Sequence, residues 1–263
     1  MYPERIVCLT EETTEVLYLL GEQSRIVGIS GFTVRPPHAR KEKPKVSAFT
    51  SANADKILAL KPDLVLGFSD LQADIAAQLV RLGMNVMIFN QRSVAEIYKM
   101  IGMLGSLVGA GDKAERWIKA NQQEISQIAA NNTAGTRRPR VYFEEWYDPM
   151  ISGIRWVSEL VELAGGEDCF ADLSHHAHAR KRIIAKSDEV VTRNPDIIIG
   201  SWCGRKFNPD HVRQRMGWQA INAVRENQLF DIKSPNILQP GPAALTDGVQ
   251  QLHKIIRQWK ENH

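Results

Sequence analysis

Short apolar runs alternate with stretches of helical spacing through the first part of the chain. "RIVCLT" (5–10) and "RIVGIS" (25–30) predict strands. Between them "EETTEVLYLLG" puts Val16, Leu17 and Leu20 at helical spacing and stops at Gly21. A Pro-rich stretch, "FTVRPPHARKEKPKVS", predicts a loop. "NADKILALKPDLVLGFSD" then predicts a short helix and the buried strand "DLVLGF". "DIAAQLVRLG" predicts a helix ending at Gly83, and "NVMIFN" a further strand. Strands separated by single helices imply parallel pairing with right-handed crossovers.

The pattern changes after residue 92. Ser93 and Glu96 have capping-box spacing and open one helix, which ends near "GAG" (109–111). Asp112 and Glu115 repeat the logic with Asp112 as N-cap. The helix they open runs without Gly or Pro to about Asn131, roughly 30 Å at 1.5 Å per residue. "NNTAGTRRP" (131–139) predicts an exposed loop. Strand–helix alternation then resumes with "RVYFEEW", "IRWVSELVELAGG", "SDEVVTRNPDIIIGSW", "QLFDIKS" and a closing helix over "GPAALTDGVQQLHKIIRQWKE". The division expected is an N-terminal α/β lobe (1–92), a helical segment (93–133) and a C-terminal α/β lobe (134–263).

An internal echo supports two similar halves. "ADKILALKPDLVLGFSD" (54–70) and "SDEVVTRNPDIIIGSWC" (187–203) each give a helix, x-Pro-Asp, an apolar strand and an aromatic residue. Pro62 and Pro195 end the helices, because their rings block continuation.

Composition narrows the function classes. With 43% hydrophobic and 24% charged residues and a formal net charge of +3, the chain resembles an ordinary globular protein. It carries neither the basic excess of a nucleic-acid binder nor an apolar run of transmembrane length. The opening "MYPERIVCLTEE" lacks the basic and apolar regions of a secretory signal, so the expectation is an intracellular protein or one whose signal has been removed. Cys8, Cys169 and Cys203 are far apart without CxxC spacing, which offers neither a disulfide framework nor a zinc pattern; Cys8 and Cys203, beside apolar runs, read as buried thiols.

Ligands of open parallel sheets bind beyond the carboxyl ends of the strands. The residues there include Glu11, Phe32, Phe49, Phe68, Glu144, Glu145, Trp146, Arg155, Trp156, Trp202, Cys203 and Gln239. Aromatic walls with a few polar groups suit a small-molecule cleft. Packing alternatives stand beside this reading: Phe49 and Phe68 as core, one of Glu144 and Glu145 facing solvent, and Arg155 in a structural ion pair with one of them. His175, His176 and His178 crowd a polar loop; a metal site there competes with a solvated loop edged by Arg180 to Arg182. No GxSxG, HExxH or GxxxxGK[ST] is present.

The segments "RIVCLTEETTEVLYLLGEQSRIVGISGF", "PKVSAFTSANADKILALKPDLVLGFSD", "DKAERWIKANQQEISQIAA" and "GPAALTDGVQQLHKIIRQW", with "LALKPDLVLG" and the run 164–170 as the most specific parts, resemble the type III substrate-binding proteins of ABC importers, closest to the cobalamin-binding branch. The resemblance covers nearly the whole chain. It implies two Rossmann-like lobes joined by one long rigid helix, with a ligand cleft between the lobes, and capture without chemistry of cobalamin, an iron–siderophore or haem. It implies an aromatic wall of Phe49, Phe68, Trp146, Trp156 and Trp202, and docking to an ABC permease and ATPase through Asp70 or Asp74 and Asp210. By resemblance the protein is periplasmic if a signal was removed, and cytoplasmic if Met1 is the native start. A corrinoid enters as ligand, with no catalytic cofactor. A second reading is a cytoplasmic ligand chaperone or enzyme on the same fold, using Glu144 or Glu145 as base, and Cys203 as nucleophile, on a smaller polar ligand.

Overall fold

The computed structural model describes residues 2–130, 132 and 137–263, so most of the loop expected over 131–139 lies outside the described residues. It contains two α/β lobes, each built on its own five-stranded sheet. One compact unit comprises the residues up to Gln91 with Ala95–Ala120; the other comprises Arg92–Val94 and the chain from Asn121 onward. The division falls inside the 20-residue helix Gly111–Ala130. That helix starts one residue before Asp112, which therefore sits in its first turn and not at its N-cap.

The N-terminal sheet contains β1 (Ile6–Cys8), β2 (Ile26–Ser30), β3 (Lys45–Ser47), β4 (Leu64–Phe68) and β5 (Val86–Phe89). All pairings are parallel, in the order β3-β2-β1-β4-β5. The order reverses at β1, the doubly wound arrangement in which ligands lie outside the strand ends. Strands covered on both faces read as continuous apolar runs, and Val7, Leu9, Val65 and Ile57 accordingly share one core. β3 falls inside the stretch the pattern reads as loop. With three residues and one buried side chain, Val46, it is too short to generate a period.

The C-terminal sheet contains β6 (Arg140–Tyr147), β7 (Met150–Ser152), β8 (Glu167–Asp168), β9 (Ile197–Gly200) and β10 (Leu229–Asp231). β10, β9, β6 and β8 run parallel, whereas β7 pairs antiparallel with the far end of β6. The sheet is therefore parallel but for one short antiparallel strand. β6 runs to Tyr147, and the chain folds back through the cis Asp148–Pro149 peptide. The register shifts between Glu144 and Trp146, a bulge that sets Glu145 apart from the ladder.

The repeated Pro-Asp motif has one structural job in both units. Lys61 and Asn194, just before the prolines, take left-handed backbone (φ 47° and 42°) and break the helices Ala54–Ala59 and Ser187–Arg193. The following aspartate then pins the entry of the neighbouring strand. Asp63 accepts from the Glu4 and Arg5 amides at 2.7 and 3.0 Å, and its own amide donates to the Arg5 carbonyl. Asp196 accepts from the Arg140 amide at 2.9 Å and donates to the Arg140 carbonyl at 2.8 Å.

Candidate functional site

At the carboxyl edge of the N-terminal sheet, Thr10 lies two residues beyond the end of β1 and is the N-cap position of the helix Glu11–Leu19. Glu11 and Glu12 are both buried there. The Thr10 hydroxyl donates to Glu12 at 2.6 Å. Burial, reinforced by Glu12 and then Glu15, pushes the Glu11 carboxyl up to about 8, against the pull of Arg40 and a backbone bond with Val34. The loop after β2 is tied down at successive residues. The Gly31 amide reaches the Ser47 carbonyl at 2.7 Å, that of Phe32 the Ser30 hydroxyl at 3.2 Å, and that of Thr33 the Ser30 carbonyl at 3.1 Å. Arg35 meets Glu15 at 2.9 Å.

This bracing holds Phe32 in solvent, 58% exposed. Phe49 is also exposed, at 38%, and Gln72 braces it: the Gln72 amide donates to the Phe49 carbonyl while accepting from the Phe68 amide, both at 2.9 Å. Leu71, which the sequence reading did not single out, is exposed beside them in chain order, after a sharp turn at Ser69 (φ 69°). Phe68 itself is buried, so its ring belongs to the packing alternative. Asp70 and Asp74 are exposed.

In the C-terminal unit the two glutamates have separate partners. Glu144 has no exposed surface and accepts four bonds: two from Arg215 at 2.5 and 3.1 Å, one from the Trp202 indole at 3.0 Å and one from the Tyr142 hydroxyl at 3.0 Å. Burial first, and the Glu144 charge next, push the Tyr142 phenol far above its ordinary value, so it stays a donor. Glu145 pairs with the buried Arg182 at 2.6 and 3.1 Å; Arg182 also donates to the carbonyls of His176 and Ser152. Arg155 pairs with neither glutamate. It opens the helix Arg155–Leu163 and meets Glu159 one turn on, at 2.8 Å. The alternative of an Arg155 ion pair with one of the glutamates gives way to Arg182 and Arg215, which lie 37 and 71 positions from their partners and carry no local signal.

Trp156 and Trp202 are 4% and 3% exposed. The Trp156 indole donates to the Ile237 carbonyl at 2.9 Å, and Trp202 packs with Tyr142, Phe207 and Trp218. Both are placed as packed residues and not as an open wall. Trp146 is half-buried, donating to the Asp148 carbonyl at 2.9 Å. Gln239 is half-buried after the short helix Ser234–Ile237. Cys203 is exposed, contrary to the buried thiol expected. Cys8 and Cys169 are buried and their thiols are pushed to about 12 by that burial. His175, His176 and His178 are exposed, and among the described residues no cluster of three or more His, Cys, Asp or Glu is placed to hold a metal ion. Nor, among those residues, is any helix long and apolar enough to cross a membrane.

The residue around which this edge assembles is Tyr147, which sequence reasoning missed. Its ring lies 4.7 Å from Trp202, 5.0 Å from Trp146 and 5.7 Å from His211, centroid to centroid. It lines a pocket of about 390 Å³ together with Asp148, His211, Gln214 and Arg215. Tyr147 directly follows the quoted "EEW"; its signal was its place at the end of the strand. His211 and Arg215 sit in and just after the short helix Pro209–Arg213, where no pattern marks them. The arrangement offers stacking faces and mixed donors. Glu144 spends its oxygens on four donors.

Comparison with known proteins agrees with this architecture. The sequence profile of the family described as "Periplasmic binding protein" matches residues 6–235. The chain is 29% identical over 264 residues to the Bacillus subtilis protein named "Uncharacterized ABC transporter substrate-binding lipoprotein YvrC", covering 97% of this chain and 80% of that one. It is 27% identical over 266 residues to the vitamin B12-binding protein of Vibrio cholerae, covering 97% and 89%. Among solved structures, a possible iron-binding periplasmic solute-binding protein of Staphylococcus epidermidis superposes with a TM-score of 0.83 at 22% identity, covering 97% and 99%.

Proposed function

The chain belongs to the periplasmic binding protein family, and on that premise we propose that it is the substrate-binding component of an ABC-type importer that captures a polycyclic metal chelate, with a corrinoid as the first candidate. The observation that carries this reading is the Tyr147 site, an open surface depression of about 390 Å³ lined by Tyr147, Asp148, His211, Gln214 and Arg215. The Tyr147 ring offers stacking area, and the four polar residues around it offer orienting hydrogen bonds. Within the N-terminal unit, taken by itself, Phe32 and Phe49 are exposed aromatic residues on braced loops, so contacts made through them lose little ordering entropy. The vitamin B12-binding relative supports the corrinoid, and the substrate-binding lipoprotein relative supports transport.

Docking to a permease is assigned to Asp70 and Asp74, with Asp210 as the C-terminal candidate; Asp210 pairs with Arg213 at 2.5 Å. The deciding experiment is equilibrium titration with cyanocobalamin, cobinamide, haem and a ferric siderophore, read by tryptophan quenching and calorimetry. At least one should bind tighter than about 100 μM. Absence of binding to all four overturns the ligand class and leaves the family membership standing.

A further inference from the structure

The arginines near the carboxyl edge of the C-terminal sheet differ in how their charge is met. Arg182 is met by Glu145, Arg215 by Glu144 and Arg213 by Asp210. Arg205 has no carboxylate within ion-pair distance among the described residues. Its partner is aromatic: one guanidinium nitrogen donates to the Tyr147 hydroxyl, and the guanidinium carbon lies 4.7 Å from the Tyr147 ring centroid.

Local structure aims it there. Trp202 to Arg205 form a tight turn, closed by the Arg205 amide on the Trp202 carbonyl at 3.2 Å, with Gly204 at φ 72°. A positive φ at the third turn residue favours glycine, so the chain reverses directly after the buried Trp202 and brings Arg205 back over Tyr147. Tyr147 is also a wall of the pocket. An aromatic face orients a guanidinium without neutralising it. The charge and the remaining N–H groups stay available for a planar oxyanion. Arg205 reaches that pocket through Tyr147, and among the described residues it forms no ion pair with Asp148, which also lines it.

We propose that Arg205 is the specificity-determining anchor for an anionic oxygen group on the captured solute, a phosphodiester or a carboxylate. This rests on the solute-capture reading above.

Two matched probe pairs test it. Cyanocobalamin carries a phosphodiester that cobinamide lacks, and haem carries carboxylates that its dimethyl ester masks. Wild type, Arg205→Gln and Arg205→Lys are titrated with all four at low and high salt. Arg205→Gln should raise Kd about tenfold or more for the anionic member of a pair and leave its partner unchanged. Arg205→Lys should recover part of the loss. The salt sensitivity of the anionic member should flatten in Arg205→Gln. The melting temperature should hold in every variant, since Arg205 is exposed. Loss confined to cyanocobalamin names the phosphodiester, and loss confined to haem names the carboxylate. Equal weakening of both members of a pair, or no change in either, overturns the assignment while wild-type binding preserves the capture reading. If wild type binds none of the four, the corrinoid and haem forms of the capture reading fail and the Arg205 assignment falls with them.

Discussion

Glu144 is fully buried and charged, and it is tolerated because four donors replace the water it lost. Glu144→Gln keeps the shape but removes the charge facing Arg215 and turns an acceptor into a donor. Breaking one side of a buried ion pair costs roughly 3–5 kcal/mol, and Arg215 retains some solvent, so a loss near the lower figure is expected in urea denaturation. Trp202 belongs to the same network, so Trp202→Ala should lower the melting temperature sharply. Phe32→Ala should leave it nearly unchanged and weaken ligand binding by roughly 1–3 kcal/mol, as for an exposed anchor. The contrast is read by running thermal melts and titrations on both variants. Glu11 gives a pH signature. Folded, it keeps its proton up to about pH 8; unfolded, only to about 4.5. Between those values the folded state holds more protons, so its contribution falls as pH rises and is fully lost above about pH 8. At about 1.4 kcal/mol per unit the ceiling is roughly 5 kcal/mol. Glu11→Gln should therefore match wild type near pH 4.5 and exceed it in stability at pH 8 to 9, measured by denaturation across that range.

At the scale of elements, the Pro-Asp repeat couples a helix end to the start of the adjacent strand. Both copies exchange backbone bonds with the strand entry, but their surroundings differ. Asp196 is buried and also accepts from Arg137 and Asn222, whereas Asp63 is exposed. Asp196→Ala leaves the half-buried Arg140 amide and the Arg137 and Asn222 donors without their shared carboxylate and should cost roughly 2 kcal/mol; at Asp63 water can substitute, and about 1 kcal/mol or less is expected. Chemical denaturation of the two variants checks the ranking. The repeat was legible in the sequence because proline and aspartate act locally. The antiparallel return of β7 was not, because two residues of turn and three of strand carry too little periodicity to oppose the parallel pattern around them.

For the whole molecule, capture links binding to stability. A ligand that binds only the folded chain raises its stability by about 2.7 kcal/mol at a concentration one hundred times Kd. Thermal melts with and without the tightest of the titrated probes should show the matching upward shift, and no shift at that concentration would contradict binding to the folded state. The two α/β lobes, the long helix and the parallel order of most strands follow from the sequence itself. Strands covered on both faces read as apolar runs, and Gly21, Gly83, Pro62 and Pro195 mark where helices stop, so these features are written locally in the chain. The same holds for the residues at strand ends, since strand order along the chain places Phe32, Phe49 and Glu144 to Tyr147 at carboxyl edges. Which of them stay open was decided only by tertiary structure. Phe32 and Trp202 look alike as aromatic residues beyond a strand, yet braced loops leave one in water while the Glu144 and Phe207 contacts bury the other. Charge pairing was decided there too: Arg182, Arg205 and Arg215 are equivalent in the sequence, and only the folded chain brings carboxylates to two of them and an aromatic ring to the third. Burial and pairing depend on neighbours tens of residues away, and no local pattern encodes that distance.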